Sequence, residues 1–156
     1  MPAPAARQLS ISVSVADQRL DLIEDGRPIA SWPVSTSRFG LGSEPGSYRT
    51  PTGRFVVSDA IGNGAEPWAV FESRVPTGEI ASPGGDDDHV LTRILWLDGL
   101  DPENATTRGR YIYIHGTNQE ALIGTPASHG CVRMRNADVI ELFDCVGPGT
   151  PVQITA

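Results

Sequence analysis

The segment LSISVSVADQRLDLIEDGRPIASWPV (residues 9–34) determines the predicted fold class. Leu9, Ile11, Val13 and Val15 alternate with polar residues, and Leu20 and Leu22 continue the pattern after them. This is the period-two pattern of half-buried β-strands. Asp25-Gly26 then predicts a two-residue type I′ hairpin turn, because both central positions of that turn need positive φ. Residues 29–34 are the predicted returning strand. The chain therefore begins as an antiparallel β-hairpin.

Further short apolar and β-branched runs predict strands along most of the remaining chain. In the run from Tyr111 to His115, alternation places Tyr111, Tyr113 and His115 on one face of a strand. The predicted strands are 55–57, 68–71, 90–97, 111–115 and 152–154.

One helix is predicted from 137 to 145, with Asn136 as its N-cap and a Gly-Pro-Gly stop after it. Residues 39–53 and 98–110 are predicted loops, and residues 76–89 are either disordered or a functional lid. These elements predict a mainly β single domain with one or two short helices. It would span residues 8–155, after an N-terminal tail of residues 1–7.

Composition and charge exclude several functions. The 156 residues include 17 Gly and 13 Pro, which is a turn-rich globular composition of one-domain length. The net charge of −7 argues against a nucleic-acid partner and against a polybasic membrane patch. All 12 basic residues are Arg. Without Lys, a Schiff base, a Ser–Lys dyad and a phosphate-binding P-loop are excluded.

The compartment is predicted from the apolar runs. No stretch approaches the 18 apolar residues of a membrane span. The first seven residues lack the basic and apolar regions of a secretory signal peptide. We therefore expect a cytoplasmic protein with no membrane partner, or a periplasmic one if a leader had been removed.

The densest group of reactive side chains lies between residues 115 and 133. Cys131 has His129 and Arg133 as near neighbours, and His115 ends the strand predicted before them. A nearby imidazole or guanidinium lowers the pKa of a thiol and makes it a better nucleophile. Gly130 permits a tight turn that directs backbone N–H groups at one point, as an oxyanion hole requires.

Other interpretations of these residues are weaker. Cys145, near the end of the predicted helix among apolar residues, is expected to be a buried structural cysteine. A Cys131–Cys145 disulfide would consume the reactive thiol. His115, His129 and Cys131 could bind zinc, but no typical ligand spacing supports this. The acidic run 86–88 lacks the alternating ligands of a calcium loop. No metal site and no cofactor is therefore predicted.

Three blocks of sequence resemble the catalytic domain of the L,D-transpeptidase (YkuD-like) family. They are His115-Gly116-Thr117, the block Ser128-His129-Gly130-Cys131-Val132-Arg133-Met134, and the upstream block Thr50-Pro51-Thr52-Gly53-Arg54-Phe55. The three blocks occur in the family's order. The resemblance covers nearly the whole chain and implies a β-sandwich or a partly closed barrel.

The resemblance also implies roles for individual residues. Cys131 would be the nucleophile and His115 its base, with the Gly116 carbonyl orienting the imidazole. Backbone N–H groups around Gly130 and Cys131 would hold the oxyanion. Arg133 would steady the segment or bind the carboxylate of the donor peptide. Ser128 and His129 complete the predicted substrate-binding set.

The implied reaction is acyl transfer on the stem peptides of peptidoglycan. The thiol would displace the terminal D-Ala from a diamino acid such as meso-diaminopimelate and form a thioester, which a carbapenem would also form. Water as acceptor gives an L,D-carboxypeptidase for the recycling of muropeptides, which we expect for a cytoplasmic enzyme. An amine acceptor gives 3–3 cross-links instead. A non-catalytic domain that binds wall peptides is a further alternative.

Overall fold

The computed structural model describes residues 8–156, so the predicted tail of residues 1–7 lies outside the described residues. Within these described residues, ten strands and one α-helix follow one another, with three short 3-10 turns. The strands are β1 (Leu9–Ser14), β2 (Arg19–Glu24), β3 (Arg27–Ser35), β4 (Gly53–Ile61), β5 (Ala69–Glu72), β6 (Val75–Ile80), β7 (Val90–Gly99), β8 (Tyr113–Gly116), β9 (Val132–Met134) and β10 (Pro151–Thr155). The helix α1 is Asn136–Phe143, and the 3-10 turns are Pro102–Asn104, Arg108–Arg110 and Glu120–Leu122.

All ten strands belong to one sheet, in the order β4-β10-β1-β2-β3-β9-β8-β7-β5-β6. A further pairing joins β4 to β7 and closes eight of the strands into a barrel. The β5–β6 hairpin extends the sheet from the free part of β7. Two pairs are parallel, β1 with β10 and β8 with β9. The expectation of a mainly β, barrel-like fold is confirmed.

The core follows from the alternation in the strands. Ile11 and Val13 of β1 and Leu20 and Leu22 of β2 are fully buried, while the residues between them are more exposed. Helix α1 adds its apolar face to the same cluster through Val139, Leu142 and Phe143. Burial of this apolar surface is the main stabilising contribution to the fold. The same cluster includes Ile114 of β8 and Val132 of β9, so both strands are anchored in the core.

The first hairpin forms as predicted, because Asp25 and Gly26 have φ of 49° and 83°. The prediction for residues 111–115 was partly wrong. Tyr111 has φ of 58° at the end of the preceding 3-10 turn and is exposed, so β8 starts only at Tyr113. The left-handed conformation of Tyr111 is incompatible with a strand.

Residues 76–89 were predicted as one connection, yet β6 occupies the first part of it. Every residue of β6 is exposed, so none of its positions has to be apolar. The sequence of this strand therefore lacks the alternation by which a strand is predicted. Ser73 and Arg74 form the turn before it, with φ of 47° and 67°. The three-residue strand β9 within the cysteine block was also missed, because it is too short for a periodic pattern.

The helix begins one residue earlier than predicted and ends earlier. Arg135 is its N-cap, whereas Asn136 lies within the first turn with its side chain buried. The helix ends at Phe143, so Cys145 lies beyond it and is exposed. The expectation that Cys145 is buried was therefore wrong.

Candidate active site

Two neighbouring, parallel strands position the predicted nucleophile and base. Cys131 immediately precedes β9, whose Val132 pairs with Ile114 of β8. The Tyr113 N–H donates to Cys131 Sγ at 3.3 Å. His115 lies two residues further along β8, roughly 7 Å at the rise of a strand. Because alternate residues share a face, its imidazole lies on the same side of β8 as the Tyr113 side chain.

The His115 ring is buried in one orientation. It is 2% exposed, and Nδ1 lies 2.6 Å from the Gly116 carbonyl oxygen. A carbonyl only accepts hydrogen bonds, so we assign the proton to Nδ1 and the free lone pair to Nε2. Burial lowers the pKa of His115, which keeps the imidazole neutral at neutral pH. Nε2 is therefore available as a proton acceptor.

The Cys131 thiol differs from the sequence-based expectation. Burial raises its pKa to about 11, against the lowering effects of the Tyr113 N–H, Arg133 and Arg110. Asp88 adds to the increase. The expected lowering of the thiol pKa was therefore wrong, because desolvation outweighs the cationic neighbours. At rest the thiol is protonated, and Sγ lies 3.4 Å from the Tyr111 carbonyl oxygen.

A strained turn presents Cys131. Gly130 has φ of 122°, and a Cβ there would lie 3.3 Å from the Arg49 carbonyl oxygen, so the position favours glycine. Ser128 Oγ accepts the Gly130 N–H at 3.2 Å and donates to the Cys131 carbonyl at 2.6 Å. Ser128 is 1% exposed. The predicted substrate-binding Ser128 thus lies inside the turn, where it holds the backbone.

Gly116 lies at a close approach of three elements. A Cβ at this position would collide with Asn136 Oδ1 and lie 2.8 Å from the Leu91 carbonyl oxygen. Asn136 is itself fixed by the carbonyl of Thr117, at 2.8 Å, and by Glu120. The absence of a side chain at Gly116 therefore lets α1 and β7 pack against the strand that carries His115.

Arg133 is buried and paired within the chain. It is 1% exposed, and its guanidinium lies 2.8 Å from Asp88 Oδ1 and 2.9 Å from Gln119 Oε1. These contacts fit a role of Arg133 in steadying the segment. The guanidinium is buried, so it presents no open face to the carboxylate of a donor peptide.

Asp88 also accepts a hydrogen bond from the Nδ1 side of His129 at 3.0 Å. Burial raises the pKa of Asp88, but Arg133, His115 and His129 outweigh it, so the net shift is downward and the carboxylate is charged. The acidic run at 86–88 lies in the segment that was predicted to be either disordered or a functional lid. Its contribution to the site was missed, because sequence does not show which of three adjacent Asp residues faces Arg133.

A small groove opens beside Cys131, with a volume of about 210 Å³. Cys131 and His129, which were predicted as site residues, line this groove. The other lining residues come from two loops. Tyr48 packs edge-on against the His129 ring at 5.9 Å between centroids. The lining residues are Pro45, Gly46, Tyr48, Gly109, Arg110, Tyr111, Ile112, His129 and Cys131.

Between residues 8 and 156, no group of three or more His, Cys, Asp or Glu side chains is arranged to hold a metal ion. None of the helices in this part of the chain has the length and apolar character needed to cross a membrane.

The chain is similar to known L,D-transpeptidases. The family model of the L,D-transpeptidase catalytic domain (YkuD) matches residues 8–154. The putative L,D-transpeptidase YkuD of Bacillus subtilis is 27% identical over 154 residues, covering 99% of this chain and 70% of that protein. The probable L,D-transpeptidase YcfS of Escherichia coli is 31% identical over 157 residues, covering 97% of this chain and 45% of that protein.

A solved structure supports the same relationship. The L,D-transpeptidase of Xylanimonas cellulosilytica superimposes with a TM-score of 0.63 at 25% identity, covering 99% of this chain and 64% of that one. The chain thus spans between about half and two thirds of the length of several proteins it resembles. With the family match extending over nearly all of the barrel, the chain belongs to the L,D-transpeptidase catalytic-domain family.

Proposed function

We propose that this domain transfers acyl groups of peptidoglycan stem peptides through a thioester at Cys131, with His115 as general acid and base. The observation that carries the proposal is the His115 imidazole, held by the Gly116 carbonyl at 2.6 Å on the strand next to Cys131. That contact leaves Nε2 free to accept a proton. The resemblance of the sequence blocks to the family implies the same pair of residues.

Both groups start uncharged in this proposal. Nε2 of His115 takes the thiol proton as Sγ adds to the carbonyl carbon at the L-centre of the third residue. The Gly130 N–H is already bound to Ser128 Oγ, so we assign the oxyanion to the Cys131 N–H. The carbon–nitrogen bond then breaks, and His115 returns its proton to the nitrogen of the departing D-Ala. A thioester remains.

Water is the acceptor that we propose for the second step. His115 takes a proton from the water as the water oxygen attacks the thioester carbon. The carbon–sulfur bond then breaks, and His115 gives that proton to the departing sulfur of Cys131. Water needs no second peptide-binding site beside Cys131, whereas an amine acceptor does. The product is a tripeptide, as in the trimming of muropeptides during recycling.

The neighbouring side chains have supporting roles. Arg133 and Ser128 keep the turn before β9 in place through the contacts described above. His129 lines the groove and is the member of the predicted substrate-binding set that we expect to touch the peptide. The cytoplasmic location stays a prediction, which fractionation of cells expressing the full-length gene product would check.

Mass spectrometry tests the proposal directly. The protein is incubated with a diaminopimelate-containing tetrapeptide, and both protein and products are weighed. We expect tripeptide and free D-Ala, and after exposure to a carbapenem an adduct on Cys131. Dimeric products as the main species would favour the amine acceptor and 3–3 cross-linking. Absence of any adduct and any product would refute acyl transfer.

A further inference from the structure

The groove beside Cys131 is lined by Arg110. Among residues 8–156 its guanidinium forms no direct ion pair, unlike Arg133, which pairs with Asp88. Arg110 lies just before the exposed Tyr111, is half-buried, and lines the groove together with Cys131 and His129. Desolvation lowers its pKa, but a guanidinium remains charged at any physiological pH. A positive charge therefore lies at the wall of the groove into which the thiol opens.

The hydrogen bonds of Arg110 go to uncharged groups. Its NH1 donates to the Gly42 carbonyl at 3.2 Å, and its NH2 donates to the Arg49 carbonyl at 2.8 Å and to Ser47 Oγ at 3.3 Å. These contacts hold the guanidinium in place. The charge of Glu44 also acts on Arg110, but among residues 8–156 no acidic side chain forms a direct ion pair with it. Since Arg carries five N–H donors, further donors remain for a ligand.

Two nearby arginines show the contrast. Arg133 is neutralised by Asp88 at 2.8 Å, and the exposed Arg108 is paired with Asp59 at 3.0 Å. A half-buried guanidinium without a direct carboxylate partner is stabilised when an anion enters beside it. A carboxylate can accept a charge-assisted hydrogen bond from one of the remaining N–H donors.

The proposed donor peptide supplies such anions close to the reacting bond. Its terminal D-Ala carboxylate is separated from the scissile nitrogen by the α-carbon alone. The diaminopimelate residue carries a second carboxylate at the end of its side chain. We propose that Arg110 binds a carboxylate of the donor peptide and thereby selects donors that carry it. This inference rests on the proposed function and names the feature of the substrate that the groove recognises.

Binding to an inactive variant tests the inference apart from turnover. Calorimetry with Cys131→Ala protein compares three peptides: the tetrapeptide ending in diaminopimelate-D-Ala, the same peptide with a C-terminal carboxamide, and one with lysine in place of diaminopimelate. A charge-assisted contact predicts about tenfold weaker binding for the peptide that lacks the recognised carboxylate. The carboxamide arm identifies the terminal group, and the lysine arm identifies the side-chain group.

The same ratio is then measured after substitution of the arginine. In Cys131→Ala/Arg110→Gln we expect the preference to fall to about one, because the amide carries no charge. Arg108→Gln is the matched control, two residues away on the same loop, and keeps the preference. Arg110→Lys retains the charge but has fewer N–H donors with which to hold it beside the ligand, so an intermediate preference is expected. Each preference is the ratio of the affinities of one protein variant for two peptides, so it does not depend on the folded fraction of that variant.

Several results would overturn the inference. These are equal binding of all three peptides, a preference that survives Arg110→Gln, or no binding of any peptide to Cys131→Ala. Failure of the proposed function is recognised separately, because the wild-type protein would then show neither an acyl adduct on Cys131 nor release of D-Ala. For turnover we expect Arg110→Gln to raise KM for the carboxylate donor more than it lowers kcat.

Discussion

Thr50 and Gly130, which are 80 positions apart, are joined by a hydrogen bond of 3.0 Å from the Thr50 hydroxyl to the Gly130 carbonyl. The same hydroxyl oxygen accepts the Ser37 N–H at 2.9 Å. Thr50 is fully buried. The upstream sequence block is thus physically connected to the turn that presents Cys131, which explains why the two blocks belong to one site.

Replacing Thr50 by Val is expected to destabilise the protein and to reduce turnover. The change keeps the shape but leaves a buried N–H and a buried carbonyl without a partner, which costs about 1–3 kcal/mol for each group. Thermal melting and the rate of D-Ala release measure the two effects. Thr106→Val is the control, because the Thr106 hydroxyl bonds the Ser43 carbonyl at an exposed site. An equal loss of stability in both variants would contradict the role of Thr50.

The two cysteines are expected to behave differently on substitution. Cys131→Ala should lower turnover by more than about 10³-fold with little change in the melting temperature, since it removes the nucleophile and only a small side chain. Cys145→Ser should leave turnover unchanged, because Cys145 is exposed beyond the helix end. Retention of activity by Cys131→Ala would exclude the thioester route.

The base is tested by the pH dependence of kcat/KM. Neutral His115 is the active form, and burial lowers its pKa, so we expect activity to hold down to pH values below its ordinary pKa of about 6.5. His115→Ala should lower kcat/KM by at least about 10²-fold. A smaller loss is expected for the partly exposed His129. If His129→Ala proves more damaging, the base has been assigned to the wrong imidazole.

The raised thiol pKa predicts slow alkylation of Cys131. Iodoacetamide reacts with thiolate, and a thiol with a pKa of about 11 is almost fully protonated at pH 7. In a Cys145→Ser background we expect Cys131 to react more slowly than free cysteine, with a rate that rises about tenfold per pH unit between pH 7 and pH 9. Rapid alkylation at pH 6 would instead show a thiolate at rest.

The Asp88 contact with Arg133 predicts a pH-dependent contribution to stability. The folded-state pKa of Asp88 is lowered, so its charge stabilises the fold above the ordinary carboxyl pKa of about 3.9, and this stability is lost as the pH falls through the lowered value.

Asp88→Asn should therefore lower the melting temperature by at least ~2 °C at pH 7. The difference should shrink below about pH 4. Asp87→Asn is the control, since its side chain is 86% exposed. No difference between the two variants at pH 7 would argue against the buried pair.

Local patterns predicted much of the framework. The hairpin at Asp25-Gly26 depends on the turn type. The alternation in β1 and β2 depends on which face of the sheet is turned to the core. Each of these signals is visible within a few residues of sequence. In contrast, the irregular segments depend on contacts with distant residues. Thr92 has φ of 73° at a bulge in β7, a strained value for a β-branched residue, and it is held by Trp68 and Asn136.

By itself the sequence determined the family, the mainly β fold, and Cys131 and His115 as candidates, because residue type and spacing suffice for these. Only the tertiary structure decided the charge states and the partners. The raised pKa of Cys131, the burial of Arg133 against Asp88 and the lack of a direct carboxylate partner for Arg110 among the described residues all depend on which atoms surround a group. Those atoms come from loops far away in the chain. Desolvation and pairing act through space, so no local pattern records them.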